Sequence, residues 1–261
     1  MPSAELNITV VQPDIVWEDK DANLRMYEGL IVGVQEKKEV IALPEMFSTG
    51  FSMAPEKLAE LMDGATVQWM KDIAKKHRCI LTGSAIIEDN GQYYNRLLWV
   101  QPDGQLGYYD KRHLFAYANE DQHYSPGSKK LITQVKGFRI CPLVCYDLRF
   151  PAWSRNQGDE YDVLLYVANW PERRSLAWKT LLQARAIENQ CYVVGVNRVG
   201  KDGKDINYSG DSSIFDPMGE MLWRSSNEVV TQTITLSKDR ITEVRNQLPF
   251  LKDADKIMIL D

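Results

Sequence analysis

Short apolar runs restrict the fold of this chain more than any other feature of its sequence. Three of them cover residues 138–144, 162–168 and 191–197. Apolar runs of about four to eight residues are typical of strands buried on both faces, and they are too short for most helices. A helical pattern lies between the second and third runs, from Ser175, a candidate N-cap, to Asn189. We therefore expect a core of buried strands with helices packed outside them.

The amino-terminal part of the chain alternates between strand and helix patterns. Residues 6–12 and 39–44 are candidate strands, and Asp21 is a candidate cap for an amphipathic helix between them. A second helix is predicted over residues 66–77, followed by a strand over residues 79–87. This order indicates a strand–helix–strand unit at the start of the fold.

Turn signals predict antiparallel neighbours for several strands. Asp-Asn-Gly at 89–91 and Pro-Asp-Gly at 102–104 bracket a candidate aromatic strand over 92–101. Two further hairpins are expected: residues 131–135 with 138–144, and residues 212–215 with 220–223. Strands outnumber helices, which favours two stacked mixed sheets with helices on their outer faces. The expected fold class is therefore a mixed α/β, four-layer α-β-β-α sandwich.

The domain organisation is predicted to be simple. No Pro/Gly/Ser-rich linker, low-complexity segment or fixed-period repeat divides the chain, so residues 1–261 are expected to form a single domain. Residues 236–261 alternate charged residues with Ile241, Val244, Leu248 and Phe250. This tail is a candidate for packing on a partner subunit rather than extending the core.

Composition excludes several classes of protein. The chain is 44% hydrophobic, which is enough for a large core, and its formal net charge of -5 argues against a nucleic-acid surface. No signal-peptide pattern and no apolar run of about 20 residues is present, so the expected location is cytoplasmic, away from membranes. The four cysteines lie in strand-like runs, as thiols of a reducing compartment do. The glycines form no phosphate-binding loop, and we expect no cofactor and no metal.

Three candidate strands end on a chemically useful side chain. The run before Glu45, the run before Lys111 and the run before Cys145 each deliver a polar residue at their carboxyl end. Catalytic groups of sheet proteins tend to lie where buried strands end. Taken singly each residue has an ordinary explanation, but together they predict one assembled site.

A cysteine nucleophile needs a base or a nearby cation, because its ordinary pKa of about 8.5 leaves it mostly protonated. Glu45 is the favoured base, and Lys111 supplies a charge that stabilises both a thiolate and an oxyanion. The backbone N–H of Tyr146 is the candidate second donor of an oxyanion hole. A pair of Cys145 with His113 remains an alternative. Cys141 lies four residues before Cys145, but no further zinc ligands are nearby.

These motifs resemble the nitrilase, or carbon-nitrogen hydrolase, superfamily. Its marks appear here in order as LPEMF, DKRHLF and VCYDLRFP, with further similarity in EDQHYSPG and GDSSIFDPMGE. The resemblance covers nearly the whole chain. It implies that Glu45 is the general base, that Lys111 stabilises the tetrahedral intermediate and that Cys145 forms a thioester. It also implies that Glu120, ahead of the Ser-Pro-Gly turn, orients Lys111.

Within that superfamily the chain most resembles the bacterial omega-amidase branch, through YDLRFP, ANWPERRSLAW and LLQARAIENQ. The branch hydrolyses the terminal amide of short 2-oxo dicarboxylic acid monoamides, such as 2-oxoglutaramate and 2-oxosuccinamate. Such a substrate needs a cation for its distal carboxylate, and Arg173, or else Arg174, is the candidate. Trp170 and Phe115 are candidate apolar walls of the pocket.

Other functions remain open at this point. The chain could act on another small linear amide, such as a deaminated glutathione-like or N-carbamoyl compound, or it could be a catalytically silent binding subunit. The resemblance also implies a symmetric homodimer formed through helices near the Cys145 strand, which here include residues 151–157 and 175–189.

Overall fold

Two β-sheets and seven helices account for most of residues 4–259, the part of the chain that the computed structural model describes. In chain order the strands are β1 (Glu5–Gln12), β2 (Val40–Ala42), β3 (Ile80–Asp89), β4 (Gln92–Val100), β5 (Leu106–Asp110), β6 (Thr133–Val135), β7 (Phe138–Val144), β8 (Val163–Val167), β9 (Tyr192–Val196), β10 (Val199–Lys201), β11 (Asn207–Phe215), β12 (Met221–Ser226) and β13 (Val230–Ser237). The helices are α1 (Lys20–Val32), α2 (Pro55–Leu58), α3 (Ala65–His77), α4 (Glu120–His123), α5 (Pro151–Ser154), α6 (Ser175–Asn189) and α7 (Lys238–Gln247). No helix among these residues is both long enough and apolar enough to cross a membrane.

Both sheets are mixed, as expected from the turn signals. The first has the order β13-β1-β2-β3-β4-β5, in which β1, β2 and β3 are parallel and the other neighbours are antiparallel. The second has the order β10-β11-β9-β8-β7-β6, with β12 paired to β11. Its central strands β7, β8 and β9 are parallel. These three strands are the apolar runs from which the sequence predicts buried strands.

The alternation of side chains along the strands generates four layers. Val163 and Leu165 of β8 lie in the core between the two sheets, whereas Leu164 and Tyr166 face outwards and pack with α6. On the other side, α1 and α3 cover the outer face of the first sheet. The predicted α-β-β-α sandwich is thereby confirmed.

Two of the predicted helix caps are wrong. Asp19, not Asp21, caps α1, because its Oδ1 accepts a hydrogen bond from the backbone N–H of Ala22. Ser175 is the first residue of α6 rather than its cap, and its hydroxyl donates to Asp211 instead. A side-chain partner from a distant strand thus competes successfully with local capping.

The carboxyl-terminal part of the chain contains a strand, β13, that is missing from the predictions above although its residues VTQTITLS alternate as strand residues do. β13 pairs along its whole length with β1, from Glu5 opposite Ser237 to Gln12 opposite Val230. Of the predicted tail, Leu236, Ile241 and Val244 are buried in this chain's own inter-sheet core or at its edge. Phe250 is 58% exposed. Contact of the tail with a partner therefore stays a prediction, and only for residues beyond α7.

Candidate active site

The ends of β2, β5 and β7 meet at one point, as the sequence predicts. Glu45 follows β2, Lys111 follows β5 and Cys145 follows β7. The Lys111 ammonium lies 2.8 Å from Glu45 Oε1, and both side chains are fully buried. Cys145 Sγ is hydrogen-bonded to the Glu45 carboxylate. Residues from three distant segments of the chain are thus joined in a single buried cluster.

Glu120 completes the surroundings of Lys111. Its two carboxylate oxygens lie 3.0 and 2.8 Å from Lys111 Nζ, and Oε2 also accepts the backbone N–H of Phe115 at 2.6 Å. Glu120 is the first residue of α4 and is fully buried. Lys111 is therefore held between two carboxylates, and we refer to Glu45, Lys111 and Glu120 as the carboxylate–lysine cluster.

Two asparagines that the sequence patterns did not single out hold this cluster in place. Asn95 of β4 donates from Nδ2 to both Glu45 and Glu120, at 2.8 and 3.1 Å. Asn169, just beyond β8, donates its backbone N–H to Glu45 Oε2 at 2.8 Å and its side-chain amide to the Glu45 carbonyl oxygen. The sequence did carry a signal for each: Asn95 is a polar residue within the aromatic strand β4, and Asn169 closely follows the apolar strand β8.

Burial and neighbouring charges set the ionisation of the site. Burial alone lowers the pKa of Lys111, but the charges of Glu120 and Glu45 outweigh it, and the pKa is raised above its ordinary value. Burial raises the pKa of Glu120, with Lys111 opposing and Glu45 reinforcing the rise. Burial, followed by the Glu45 charge, raises the pKa of Cys145 well above its ordinary value. The resting nucleophile is accordingly a neutral thiol.

The cysteine stands on a strained turn. Cys145 has a φ of +44°, an unusual conformation for a residue with a side chain, and it begins a 3-10 turn that ends at Arg149. Buried Asp147 fixes the turn, because its Oδ2 accepts the N–H of Val144 at 3.0 Å and the hydroxyl of Tyr109 at 2.8 Å. Such a turn projects the side chain of Cys145 towards the cavity in front of it.

His113 serves this turn rather than the thiol. Its backbone N–H and its ring Nδ1 lie 3.1 and 2.7 Å from Asp147 Oδ1. The ring is stacked on Phe150, with 3.8 Å between centroids and 5° between planes. These contacts engage the ring away from Cys145, so the geometry gives no support to a Cys145–His113 pair.

The Ser-Pro-Gly turn holds the backbone of Lys111. The N–H of Gly127 donates to the Lys111 carbonyl oxygen at 3.0 Å. A Cβ at Gly127 would lie 2.2 Å from the carbonyl oxygen of Asp110, far inside van der Waals contact. Glycine is therefore required at this position for the turn to approach the end of β5.

A cavity of about 220 Å³ opens in front of Cys145. Every predicted substrate-binding residue lines it: Phe115, Tyr146, Trp170, Arg173 and Arg174. Its other lining residues were not indicated by the sequence: Phe51, Tyr117, Ala118, Arg149, Asn169, Pro171, Asp202, Lys204, Ile206 and Tyr208. Four of all the lining side chains are cationic and one is acidic. Glu45, Lys111 and Glu120 are not among the lining residues, and Cys145 is where the carboxylate–lysine cluster meets the cavity.

The two candidate arginines differ in their environment. Arg173 is exposed, whereas Arg174 is partly buried and lies over the ring of Phe115, 5.0 Å from its centroid. Burial, and then the charges of Arg173 and Arg149, lower the pKa of Arg174, while the nearby Cys145 opposes this change. No carboxylate of residues 4–259 lies within ion-pair distance of Arg174. An anion in the cavity would relieve the repulsion among these cations.

The chemistry available here is nucleophilic. Among residues 4–259 no group of three His, Cys, Asp or Glu side chains is arranged to hold a metal ion. What the geometry does provide is a thiol, a carboxylate in contact with it and a buried ammonium beside both. That set can accept a proton, attack an electrophilic carbon and stabilise an oxyanion.

Comparison with known proteins places this site in a family. The model of the carbon-nitrogen hydrolase family matches residues 7–246. The chain is 44% identical to omega-amidase YafV of Escherichia coli (strain K12), over 97% of this chain and 98% of that protein. It is 35% identical to the 2-oxoglutaramate amidase of Bacillus subtilis (strain 168), over 95% and 97% of the two chains.

A solved structure agrees with these matches. It is that of a CN-hydrolase superfamily protein from Xanthomonas campestris with an arsenic adduct in its active site. This structure superposes with a TM-score of 0.95 at 42% identity, over 98% of this chain and 99% of the other. With sequence and fold matched over almost their entire lengths, the chain belongs to the carbon-nitrogen hydrolase family.

Proposed function

We propose that this protein is an omega-amidase that hydrolyses the terminal amide of short 2-oxo dicarboxylic acid monoamides, such as 2-oxoglutaramate and 2-oxosuccinamate, to the acid and ammonia. The observation that carries the proposal is the side chain of Cys145, which neighbours the buried Glu45–Lys111 pair and lines a cavity with four cationic side chains. The names of the two relatives described above support the same substrate class.

In the first half-reaction, the thiol of Cys145 attacks the amide carbon as Glu45 takes its proton. Two carboxylates already face one ammonium, so losing the thiol proton to solvent would add negative charge to a buried cluster. Transfer to Glu45 leaves the total charge unchanged. Glu45 then delivers this proton to the nitrogen, the C–N bond breaks, and ammonia leaves a thioester on Cys145.

In the second half-reaction, water replaces ammonia. Glu45 takes a proton from the water as its oxygen attacks the thioester carbon, and the C–S bond breaks to release the acid. The proton returns to the Cys145 sulfur, so the enzyme is regenerated. Glu45 therefore alternates between base and acid, and its contacts with Asn95 and Asn169 hold it in position for both steps.

Both half-reactions pass through an oxyanion. Lys111 is the proposed cation that stabilises it, with the backbone N–H of Tyr146 as the second donor. Glu120 orients Lys111 through the two short contacts described above. Because these donors are already fixed before substrate binds, little reorganisation is needed in the transition state.

The distal carboxylate of the substrate is proposed to bind Arg174 in preference to Arg173. Arg174 is the less exposed of the two, it lies near Cys145, and it packs against Phe115. Trp170, which is 3% exposed, forms an apolar wall and donates from its ring N–H to the Arg174 carbonyl oxygen at 2.8 Å. A short dicarboxylic chain can thus place its amide at Cys145 and its carboxylate at Arg174.

We further propose a single-domain chain that forms a homodimer in the cytoplasm. Exposed Leu176 and Ile187 lie on α6, and Gly219 packs next to Ile187 in a turn flanked by exposed Met218 and Met221. Such an apolar surface suits self-association. The cytoplasmic location is proposed on separate grounds, since all four cysteines are free and buried, which fits a reducing compartment. Light scattering of wild type and Ile187→Glu tests the dimer, and a wild-type monomer would reject it.

The test of the reaction is mass spectrometry of the protein quenched during turnover of 2-oxoglutaramate. An adduct on Cys145 with the mass of the substrate minus ammonia is expected, and Cys145→Ala should carry none. Activity should also be compared across an N-carbamoyl amino acid and a deaminated glutathione-like amide. A higher kcat/KM for either would reassign the substrate, and no turnover of any small amide would favour a silent binding subunit.

A further inference from the structure

The side chain of Asn169 has one end bound and one end free. Its Nδ2 donates to the carbonyl oxygen of Glu45, and this contact fixes which end is nitrogen, since the opposite orientation would place two acceptors together. Its Oδ1 is buried and has no hydrogen-bond partner within residues 4–259. Asn169 is 4% exposed and lines the cavity that contains Cys145.

A buried acceptor without a partner is unfavourable, and such exceptions need a reason. Here the reason cannot be poor packing of a mobile loop, because the backbone N–H of Asn169 is itself bonded to Glu45 Oε2 and its neighbour Trp170 is bonded to Asn197. Asn169 is held from both sides with its carbonyl oxygen unused. A ligand that supplies an N–H or O–H donor would satisfy it.

Asn95 Oδ1 also has no hydrogen-bond partner within residues 4–259, but Asn95 does not line the cavity, and the acceptors of Glu45 are already engaged. Glu45 Oε1 accepts from Lys111 and Asn95, and Oε2 accepts from the Asn169 backbone. The remaining groups proposed to contact substrate, Lys111 and Arg174, are donors. The site therefore has donors for a carbonyl oxygen and a carboxylate, but it needs an acceptor for the N–H groups of an amide.

We infer that Asn169 Oδ1 accepts an N–H of the scissile amide and so makes Asn169 a substrate-binding residue that selects amides over esters and nitriles. The contact holds the nitrogen beside Glu45, where it receives the proton taken from Cys145 as the C–N bond breaks. Neither the ester oxygen nor the nitrile nitrogen carries a hydrogen, so neither substrate can satisfy Oδ1. This inference rests on the proposed amidase reaction and adds its selectivity.

Two variants close in size to asparagine separate this role from support of Glu45. Asn169→Leu removes the acceptor, whereas Asn169→Asp keeps one, and both lose the amide donor to the Glu45 carbonyl oxygen. The measurement is the ratio of kcat/KM for 2-oxoglutaramate to that for the matching 5-methyl ester. We expect the Leu variant to lower this ratio by roughly 10-fold or more and the Asp variant to keep it within about 3-fold.

If Asn169 has a purely structural role, Asn169→Leu should lower kcat/KM for the amide and for the ester equally, and that result overturns the inference. The inference is also overturned if the amide-to-ester ratio falls as much in Asn169→Asp as in Asn169→Leu. Ester turnover reports whether each variant is folded. If Asn169→Leu is not folded, Asn169→Ala, which also lacks the acceptor, takes its place. Should wild type hydrolyse neither 2-oxoglutaramate nor its ester, the proposed substrate is wrong. Propionamide and methyl propionate then test Asn169 independently of it.

Discussion

Replacing Arg174 with methionine tests how the cavity recognises its substrate. Methionine keeps an unbranched apolar stem against Phe115 but removes the charge and the hydrogen-bond donors. In the resting protein Arg174 has no carboxylate of residues 4–259 within ion-pair distance, so the variant should lose no internal ion pair. The expected damage is therefore confined to binding of an anionic substrate.

The magnitude follows from the surroundings of the two arginines. A bidentate pair of Arg174 with a carboxylate makes two charge-assisted hydrogen bonds, each contributing about 1.5–3 kcal/mol before desolvation is counted. Partial exposure and the cost of desolvation reduce the sum to about 3 kcal/mol, on the order of 100-fold in kcat/KM. Arg173 is exposed, and its loss should cost about 1 kcal/mol or less.

The assay compares 2-oxoglutaramate with propionamide in wild type, Arg174→Met and Arg173→Met. The loss in Arg174→Met should fall mainly on KM for the charged amide and leave the uncharged amide within about 3-fold, since the acyl-transfer groups are unchanged. A larger loss in Arg173→Met would refute the assignment of the two arginines. Equal losses on both amides would refute a role in carboxylate binding.

Three further substitutions test the supports of the site. Glu120→Gln should lower kcat for charged and uncharged amides alike, by roughly 10- to 100-fold, because Lys111 loses a charge-assisted contact; steady-state kinetics on both amides measure it. Gly127→Ala should lower the free energy of unfolding by about 3 kcal/mol or more in urea titrations, because its Cβ would overlap the carbonyl oxygen of Asp110. Asp211→Asn should remove an acid-dependent part of stability, measured by urea unfolding at several pH values. Although burial alone raises the pKa of Asp211, hydrogen bonds from three serines hold it below its ordinary value of 3.8, so this stability is present above pH 3.8 and is lost as the pH falls through the folded pKa.

Matched controls are available for the two stability predictions. Gly29 lies in α1, and a Cβ added there would have nothing within 4 Å, so Gly29→Ala should not destabilise the protein. Asp239 is an exposed residue in the first turn of α7, and Asp239→Asn is the control for removing one surface carboxylate. The prediction for Glu120→Gln is contradicted if kcat for the uncharged amide stays at the wild-type value. The prediction for Asp211→Asn is contradicted if its free energy of unfolding still differs from that of wild type at low pH.

Local patterns sufficed for the buried strands and for the residues that end them. The apolar runs that became β7, β8 and β9 are recognisable because a strand buried on both faces is apolar along most of its length, with Arg139 near the start of β7 as the exception. Parallel strands place their carboxyl ends at one edge of the sheet, and this is why Cys145 and Asn169 emerge together. Glu45 and Lys111 could be picked out in the sequence in the same way as Cys145, because each follows a strand.

Other parts of the site depend on contacts between distant segments. β13 alternates apolar Val230, Ile234 and Leu236 with threonines, which is a strand pattern, but only the tertiary structure shows that it pairs with β1 from the opposite end of the chain. Asn95 becomes important only because β4 passes behind both carboxylates. The sequence likewise left open whether Glu45 or His113 is the partner of Cys145, and the contact of the histidine with Asp147 favours Glu45.

The sequence by itself determined the layered fold and marked Cys145, Glu45 and Lys111 as candidates for one site, because short-range hydrophobic periodicity and strand ends are encoded locally. The tertiary structure alone decided that Arg174 is less exposed than Arg173, that Asn169 keeps an unused acceptor in the cavity and that His113 faces Asp147. Burial, hydrogen-bond pairing and the direction of a side chain depend on which segments pack together, and no local pattern specifies them.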